Sequence, residues 1–338
     1  MSSLILFIAG FLASSSLIIF SGSRLSKYGD IIATLTGMGK AWFGLIMMAA
    51  VTSLPELFTG VSSIVFIDSP DIAVGDIMGS CAFNLLILAV LDYFVPGKPI
   101  SSVVTKSHVL AGFFGIFLIT LSVISIVFGS WFPVIGWFSS SSILLIVFYL
   151  LAIRIIFKNE QHIAATNVDN PVPLVHHTHK DISLQLAIKR YALFALMVIA
   201  GAIALPYFAD HLATEAGLSK SFVGTLLVAA TTSLPELVVS IAAVRLGSMD
   251  IAVGNLLGSN IFNILILAFN DLIYRKGPLL QATNPNHALS GLVTLLMTAV
   301  VGISIMYGSP KKRFVLAIDA IILIFLYTIL ILALYRMG

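Results

Sequence analysis

AAVTSLPELFTG at residues 49–60 and IAVGDIMGSCAFNLLILA at residues 72–89 decide the reading of this chain, because both occur again. The second copies are AATTSLPELVVS at 229–240 and IAVGNLLGSNIFNILILA at 251–268. TSLPE is identical at 52–56 and 232–236. Each copy places Glu, Ser, Thr and Asn inside stretches that are otherwise apolar. A duplication that keeps the costly polar residues points to a site built from both halves.

The surrounding composition sets the solvent. Apolar residues make up 59% of the 338 and charged residues only 10%, whereas soluble domains carry about 25% charged residues. The chain therefore reads as an all-α integral membrane protein. Ten spans can be drawn at about 3–23, 31–67, 72–95, 107–128, 134–157, 188–210, 219–246, 251–274, 287–307 and 314–335. The GSWFP turn at 129–133 makes a tight hairpin of the fourth and fifth. The N-terminus has no basic region ahead of its apolar run and reads as the first span rather than a removed signal. The second and seventh spans exceed the ~20 residues a bilayer needs, so Pro55 and Pro235 are expected to break each into half-helices.

Charge sets the orientation. Loops after the odd spans hold Arg24, Lys27, Lys40, Lys98, Lys106, Arg154, Lys158, Lys180, Lys189, Arg190, Arg245, Lys311, Lys312 and Arg313. The other side holds Lys220, Arg275, Lys276 and Arg336. The excess puts the odd loops in the cytoplasm and both termini outside. Five spans per copy is an odd number, so the second copy enters the membrane inverted, as in many secondary transporters. The expected division is a first five-helix repeat at 1–158, a cytoplasmic linker at 159–187 and a second repeat at 188–338. The linker carries His176, His177 and His179, read as a solvated tract rather than a metal site. Cys81, the single cysteine, lies in an apolar run and reads as a buried thiol.

The repeated residues suggest a chemistry. Proline lacks an N–H, so the carbonyls of Val51 and Thr231 lose their helical donors. Bare backbone at membrane depth is tolerated only inside protein or along a watery cavity. The hydroxyls of Thr52, Ser53, Thr232 and Ser233 lie on that turn, where they could cap it, bind an ion, or both. Glu56 and Glu236 follow the prolines, and a carboxylate at the centre of a span costs on the order of 3 kcal/mol. Ser80 and Asn84 share a helix face, as do Ser259 and Asn263. Gly75, Gly79, Gly254 and Gly258 form small-residue ridges for close helix approach. Carboxylates, amides, hydroxyls and carbonyls together make an all-oxygen set, suited to Ca2+ or Na+ and unsuited to Zn2+. Asp76, opposite Asn255 in the duplication, is either a third carboxylate on the path or a vestibule charge. Asp68 and Asp71 read as solvated loop residues, Asp92 and Asp271 as interface residues at helix ends, and Asp319 as snorkelling or paired with Arg313.

TSLPE with GSCAFN at 79–84 and TSLPE with GSNIFN at 258–263 resemble the two alpha-repeats of the cation/Ca2+ exchanger superfamily, in particular its prokaryotic sodium/calcium exchangers. The resemblance covers essentially the whole chain. It implies a ligand set of Thr52, Ser53, Glu56, Ser80, Asn84, Thr232, Ser233, Glu236, Ser259 and Asn263. It also implies that helices 3–23 and 188–210 slide across the core, and that a monomer in the cell membrane suffices. The implied activity is exchange of Ca2+ for Na+ by alternating access, with no cofactor. Departures exist: Val51 and Thr231 stand where the family has Gly, and Asn263 where such members often have Asp. The Glu–Glu pattern with two amides resembles proton-coupled members, so H+ exchange is the alternative. A cation channel is a remoter one. No HExxH or GxSxG motif suggests an enzyme, and basic residues that follow topology do not suggest nucleic-acid binding.

Overall fold

The computed structural model describes residues 2–36, 48–166, 182–245 and 247–337. It is helical apart from one small hairpin. In chain order the helices are α1 (Ser2–Thr36), α2 (Ala49–Thr52), α3 (Leu54–Val65), α4 (Pro70–Tyr93), α5 (Ile100–Val103), α6 (His108–Val127) and α7 (Ser140–Thr166). After 167–181 come α8 (Leu184–Ala216), α9 (Lys220–Val223), α10 (Ala229–Thr232), α11 (Leu234–Arg245), α12 (Met249–Ile273), α13 (Leu279–Ala282), α14 (His287–Tyr307) and α15 (Ile318–Met337). Among the described residues, 8 helices are long and apolar enough to cross a membrane, or 9 if the bent pair Lys220–Thr232 and Leu234–Arg245 is one span.

The bundle is built around α4 and α12, which are buried along most of their length. Small residues make this possible. A Cβ on Gly75 would lie 3.1 Å from the Gly224 Cα, and one on Gly79 would sit 2.7 Å from the Ala229 Cβ. Those glycines let the π-helical stretch Gly224–Val228 lie backbone-to-backbone on α4. The outer helices expose large apolar side chains instead, among them Leu6, Leu12, Phe113, Leu150, Leu196, Phe325 and Leu332. An apolar exterior over a polar interior is what a lipid solvent selects.

Helix ends depart from the expected spans at several places. α1 continues through Arg24 and Lys27 to Thr36, taking residues 31–36 from the expected second span. Its far end is held by α8: Arg190 Nη1 donates to the Tyr28 hydroxyl at 2.6 Å, and Phe194 stacks on the Tyr28 ring. At 35 and 33 residues, α1 and α8 would each run about 50 Å, well beyond a ~30 Å hydrocarbon core. Residues 134–139, expected as the start of the fifth span, pair as Val134–Ile135 with Phe138–Ser139 around Gly136 at φ 67°. The 159–187 linker is helical at both edges; its His tract and Lys180, and Lys40 earlier in the chain, lie outside the described residues.

The acidic residues at helix ends do more than the sequence reading assigned. Asp92 is buried and accepts from the backbone N–H of Ile100 (2.8 Å) and Ala317 (2.8 Å), with Lys312 Nζ at 3.0 Å from its carboxylate. Asp271, at the matching place, accepts from Leu279 N–H (2.6 Å), Ser139 N–H (3.0 Å) and Ser142 Oγ (2.5 Å). Each carboxylate thus caps a short helix and the start of a long one. Asp71 and Asp250 form another matched pair. Asp71 binds Asn284 N–H (2.7 Å) and His287 Nε2 (3.1 Å), while Asp250 binds Thr105 N–H (2.7 Å) and His108 Nε2 (2.9 Å). Asp71 is therefore a cap between the halves, not a free loop charge, whereas Asp68 is exposed beside Lys276 at 2.5 Å. Asp319 accepts from Ser101 Oγ at 2.6 Å rather than pairing with Arg313.

Candidate functional site

The break in each motif is one residue wide and lies at the serine before the Leu-Pro pair. Ser53 has φ −87°, ψ 12°, and Ser233 φ −86°, ψ 5°. Helix resumes at once, with Leu57 N–H bonded to the Ser53 carbonyl and Leu237 N–H to that of Ser233, both at 3.2 Å. Pro55 and Pro235 sit in the first turn of the new helices, where a missing N–H costs nothing, so the distortion falls on the serines. The second break bends the span by 44°.

This geometry directs the side chains. Thr52 and Thr232 turn back onto their own helices. Thr52 Oγ1 lies 3.0 Å from the Met48 carbonyl and 3.2 Å from that of Ala49. Thr232 Oγ1 lies 3.2 Å from both the Val228 and Ala229 carbonyls. Thr232 Oγ1 also lies 2.8 Å from Asp76 Oδ1, closer than either carbonyl of its own helix. The serines reach across instead. Ser53 Oγ donates to Glu236 Oε1 and Ser233 Oγ donates to Glu56 Oε1, both at 3.1 Å. Each carboxylate is thus held by the broken turn of the other copy.

All ten residues singled out by the sequence are buried, and so is Asp76. Ser259 Oγ lies 3.4 Å from Glu236 Oε1, and Ser80 Oγ lies 3.4 Å from Thr232 Oγ1. Asp76 is in the core and not in a vestibule: its Oδ1 accepts from Thr232 Oγ1 at 2.8 Å. Its counterpart Asn255 faces Thr52 Oγ1 at 3.5 Å and donates to Ser240 Oγ at 3.3 Å.

Several buried oxygens have no hydrogen-bond partner: Glu56 Oε2, Glu236 Oε2, Asp76 Oδ2, Asn84 Oδ1 and Asn263 Oδ1. A buried acceptor without a donor costs about 1–3 kcal/mol, and more for a charged one. Each of these atoms is the hard oxygen donor that Ca2+ or Na+ takes. Among the described residues no three His, Cys, Asp or Glu converge as a metal cluster.

Asn260 was not expected. Its Oδ1 accepts from Asn84 Nδ2 at 2.9 Å, and its Nδ2 donates to the Cys81 carbonyl at 3.0 Å. With the Asn84 Nδ2 so engaged, its oxygen is left buried and unpartnered. Asn260 stands where the first copy has Cys81, so a search for matched residues passes over it. An amide beside Ser259 in an apolar helix was the available signal. Cys81 is fully buried, as read.

The sodium/calcium exchanger protein family matches residues 6–158 and 189–336, which include both broken motifs and both central helices. The chain belongs to the sodium/calcium exchanger family. Its relatives include the inner membrane protein YrbG of Escherichia coli (strain K12), 28% identical over 255 residues, 74% of each chain. The fold is shared with two solved exchangers. The sodium-calcium exchanger NCX_Mj aligns over 98% of this chain and 99% of its own, at TM-score 0.63 and 23% identity. The H+/Ca2+ exchanger CAX aligns over 98% of this chain and 85% of its own, at TM-score 0.72 and 13% identity.

Proposed function

We propose that this exchanger moves Ca2+ across the cell membrane against Na+ by alternating access, and that Glu56 and Glu236 bind the competing ions. One observation carries the proposal: each carboxylate is cross-braced through one oxygen by a serine of the other copy and leaves its second oxygen buried and unpartnered. Two negative charges suit one Ca2+ or the Na+ ions that replace it. Because both cargoes need the same oxygens, they exclude one another, and only an occupied site rearranges at low cost. Thr52, Ser53, Ser80, Asn84, Thr232, Ser233, Ser259 and Asn263 complete the oxygen set, and Asp76 stands beside it through the Thr232 hydroxyl.

The proposed architecture is ten spans in two inverted repeats, 1–158 and 188–338, joined by 159–187, with both termini outside. The exchanged caps support it. Asp71 and Asp250 each cap the segment before a helix of the opposite half, and Asp92 and Asp271 occupy one place in the duplication. A proton-coupled reading is favoured by one feature, Asn263, which leaves a symmetric pair of glutamates with two amides.

Uptake of radiolabelled Ca2+ into proteoliposomes tests both. Uptake driven by an outward Na+ gradient at equal pH, and abolished in Glu56→Gln and Glu236→Gln, is the expected result. Uptake driven by an outward proton gradient without Na+ would move the exchanger to H+ coupling. Uptake that survives both substitutions would refute the assignment of the site.

A further inference from the structure

Two buried polar side chains beyond the central site have no hydrogen-bond partner. Asn270 lies in the last turn of α12, fully buried, and neither its Oδ1 nor its Nδ2 has a hydrogen-bond partner. Thr59 on α3 is also fully buried with its Oγ1 unpartnered. The two helices pack closely here: a Cβ on Gly60, the residue after Thr59, would overlap the Asn270 amide. Gly60 is thus the gap into which that amide fits. Ser62 Oγ, on the same helix, donates to the Ile203 carbonyl of α8 at 2.7 Å, so α8 helps enclose the place.

Thr59 is one helical turn from Glu56. Asn270 is two turns from Asn263 and on its face, about 10 Å along the axis. Both displacements run toward the ends of α3 and α12 that the charge distribution places outside. The duplication supplies its own control. The residues matching Thr59 and Asn270 in the other copies are Val239 and Leu91, so the opposite side of the site is apolar at these positions. A bare amide and hydroxyl in a dry helix interface are costly, whereas on the route of a partly dehydrated cation the two oxygens would face the ion and the amide N–H groups its remaining water.

We propose that Thr59 and Asn270 form a second cation station, outward of the Glu56–Glu236 centre, that receives Ca2+ or Na+ through neutral oxygens. With no carboxylate of its own, it would hold the ion weakly enough to pass it on. The inference rests on the antiporter reading.

The test is the double variant Thr59→Val, Asn270→Leu, which copies the chain's own other half. Half-saturating Ca2+ is measured in right-side-out and in everted membrane vesicles, with the amount of folded protein fixed by size exclusion. The expected result is a roughly tenfold rise for external Ca2+, the equivalent of about one charge-assisted contact, with less than about a twofold change from the cytoplasmic side. No change on either side would overturn the station, leaving the amide as packing. An equal change on both sides would overturn it too, because the residues would then act through the central site or the fold. If the double variant does not yield folded protein, Thr59→Val alone is read by the same criteria. Wild-type vesicles without exchange would overturn the antiporter reading itself, and the station with it; exchange in wild type with an unaltered variant would sink the station alone.

Discussion

Asp76 shows how much one atom's environment can distinguish two copies of the same motif. Its Oδ1 takes the Thr232 hydroxyl at 2.8 Å, whereas the equivalent Asn255 oxygen stands 3.5 Å from Thr52. The second Asp76 oxygen is buried and unpartnered like those of the two glutamates. If Asp76 contributes its charge to the bound ion, Asp76→Asn should raise half-saturating Ca2+ by roughly tenfold or more while the folded protein remains monodisperse, because the asparagine can still accept from Thr232. Unchanged Ca2+ affinity in a transport titration would place Asp76 off the ion's coordination shell. The glutamates are likewise held from the opposite copy, by serines, so each half positions the other's charge.

At the scale of elements, the short helices α5 and α13 are fastened by Asp92 and Asp271, and the two carboxylates carry unequal loads. Asp92 binds two backbone N–H groups and Lys312, a pair in which both side chains are almost wholly buried. Asp271 binds two backbone N–H groups and a hydroxyl. Removing one partner of a buried ion pair costs about 3–5 kcal/mol, whereas losing neutral donors costs about 1–3 kcal/mol per unsatisfied group. Asp92→Ala should therefore lower the Tm of the detergent-purified exchanger more than Asp271→Ala does. The opposite order in a thermal melt would mean that Lys312 finds another partner or reaches water. The same elements explain the boundaries: α15 starts at Ile318, not near 314, because the Ala317 N–H and Lys312 are tied to Asp92.

Across the whole molecule, α1 lies over the broken turn that carries Ser233 and precedes Glu236. Ser15 Oγ is 3.3 Å from Thr231 Oγ1, and a Cβ on Gly22 would fall 2.6 Å from the Pro235 ring. If α1 slides during transport, fixing it there should stop exchange. In a Cys81→Ala background, oxidising the pair Ser15→Cys, Thr231→Cys is expected to abolish Ca2+ uptake, and a reductant should restore it. Full uptake by demonstrably cross-linked protein would show that α1 does not move relative to this turn.

The membrane class, the placement of most spans and the central carboxylates were legible in the amino-acid order, for a physical reason. Lipid penalises every polar group locally, so hydrophobic length, proline breaks and costly glutamates register residue by residue, and duplication separates retained polar residues from chance. The tertiary structure alone decided which atoms meet. It paired Ser53 with Glu236 and Ser233 with Glu56, placed Asp76 in the core, recruited Asn260 from an unmatched position, and turned Asp71, Asp92, Asp250 and Asp271 into caps. These are contacts between residues far apart in the chain, and whether a hydroxyl turns back to its own helix, as Thr52 does, or reaches across, as Ser53 does, is set by a one-residue distortion and by the helices packed against it.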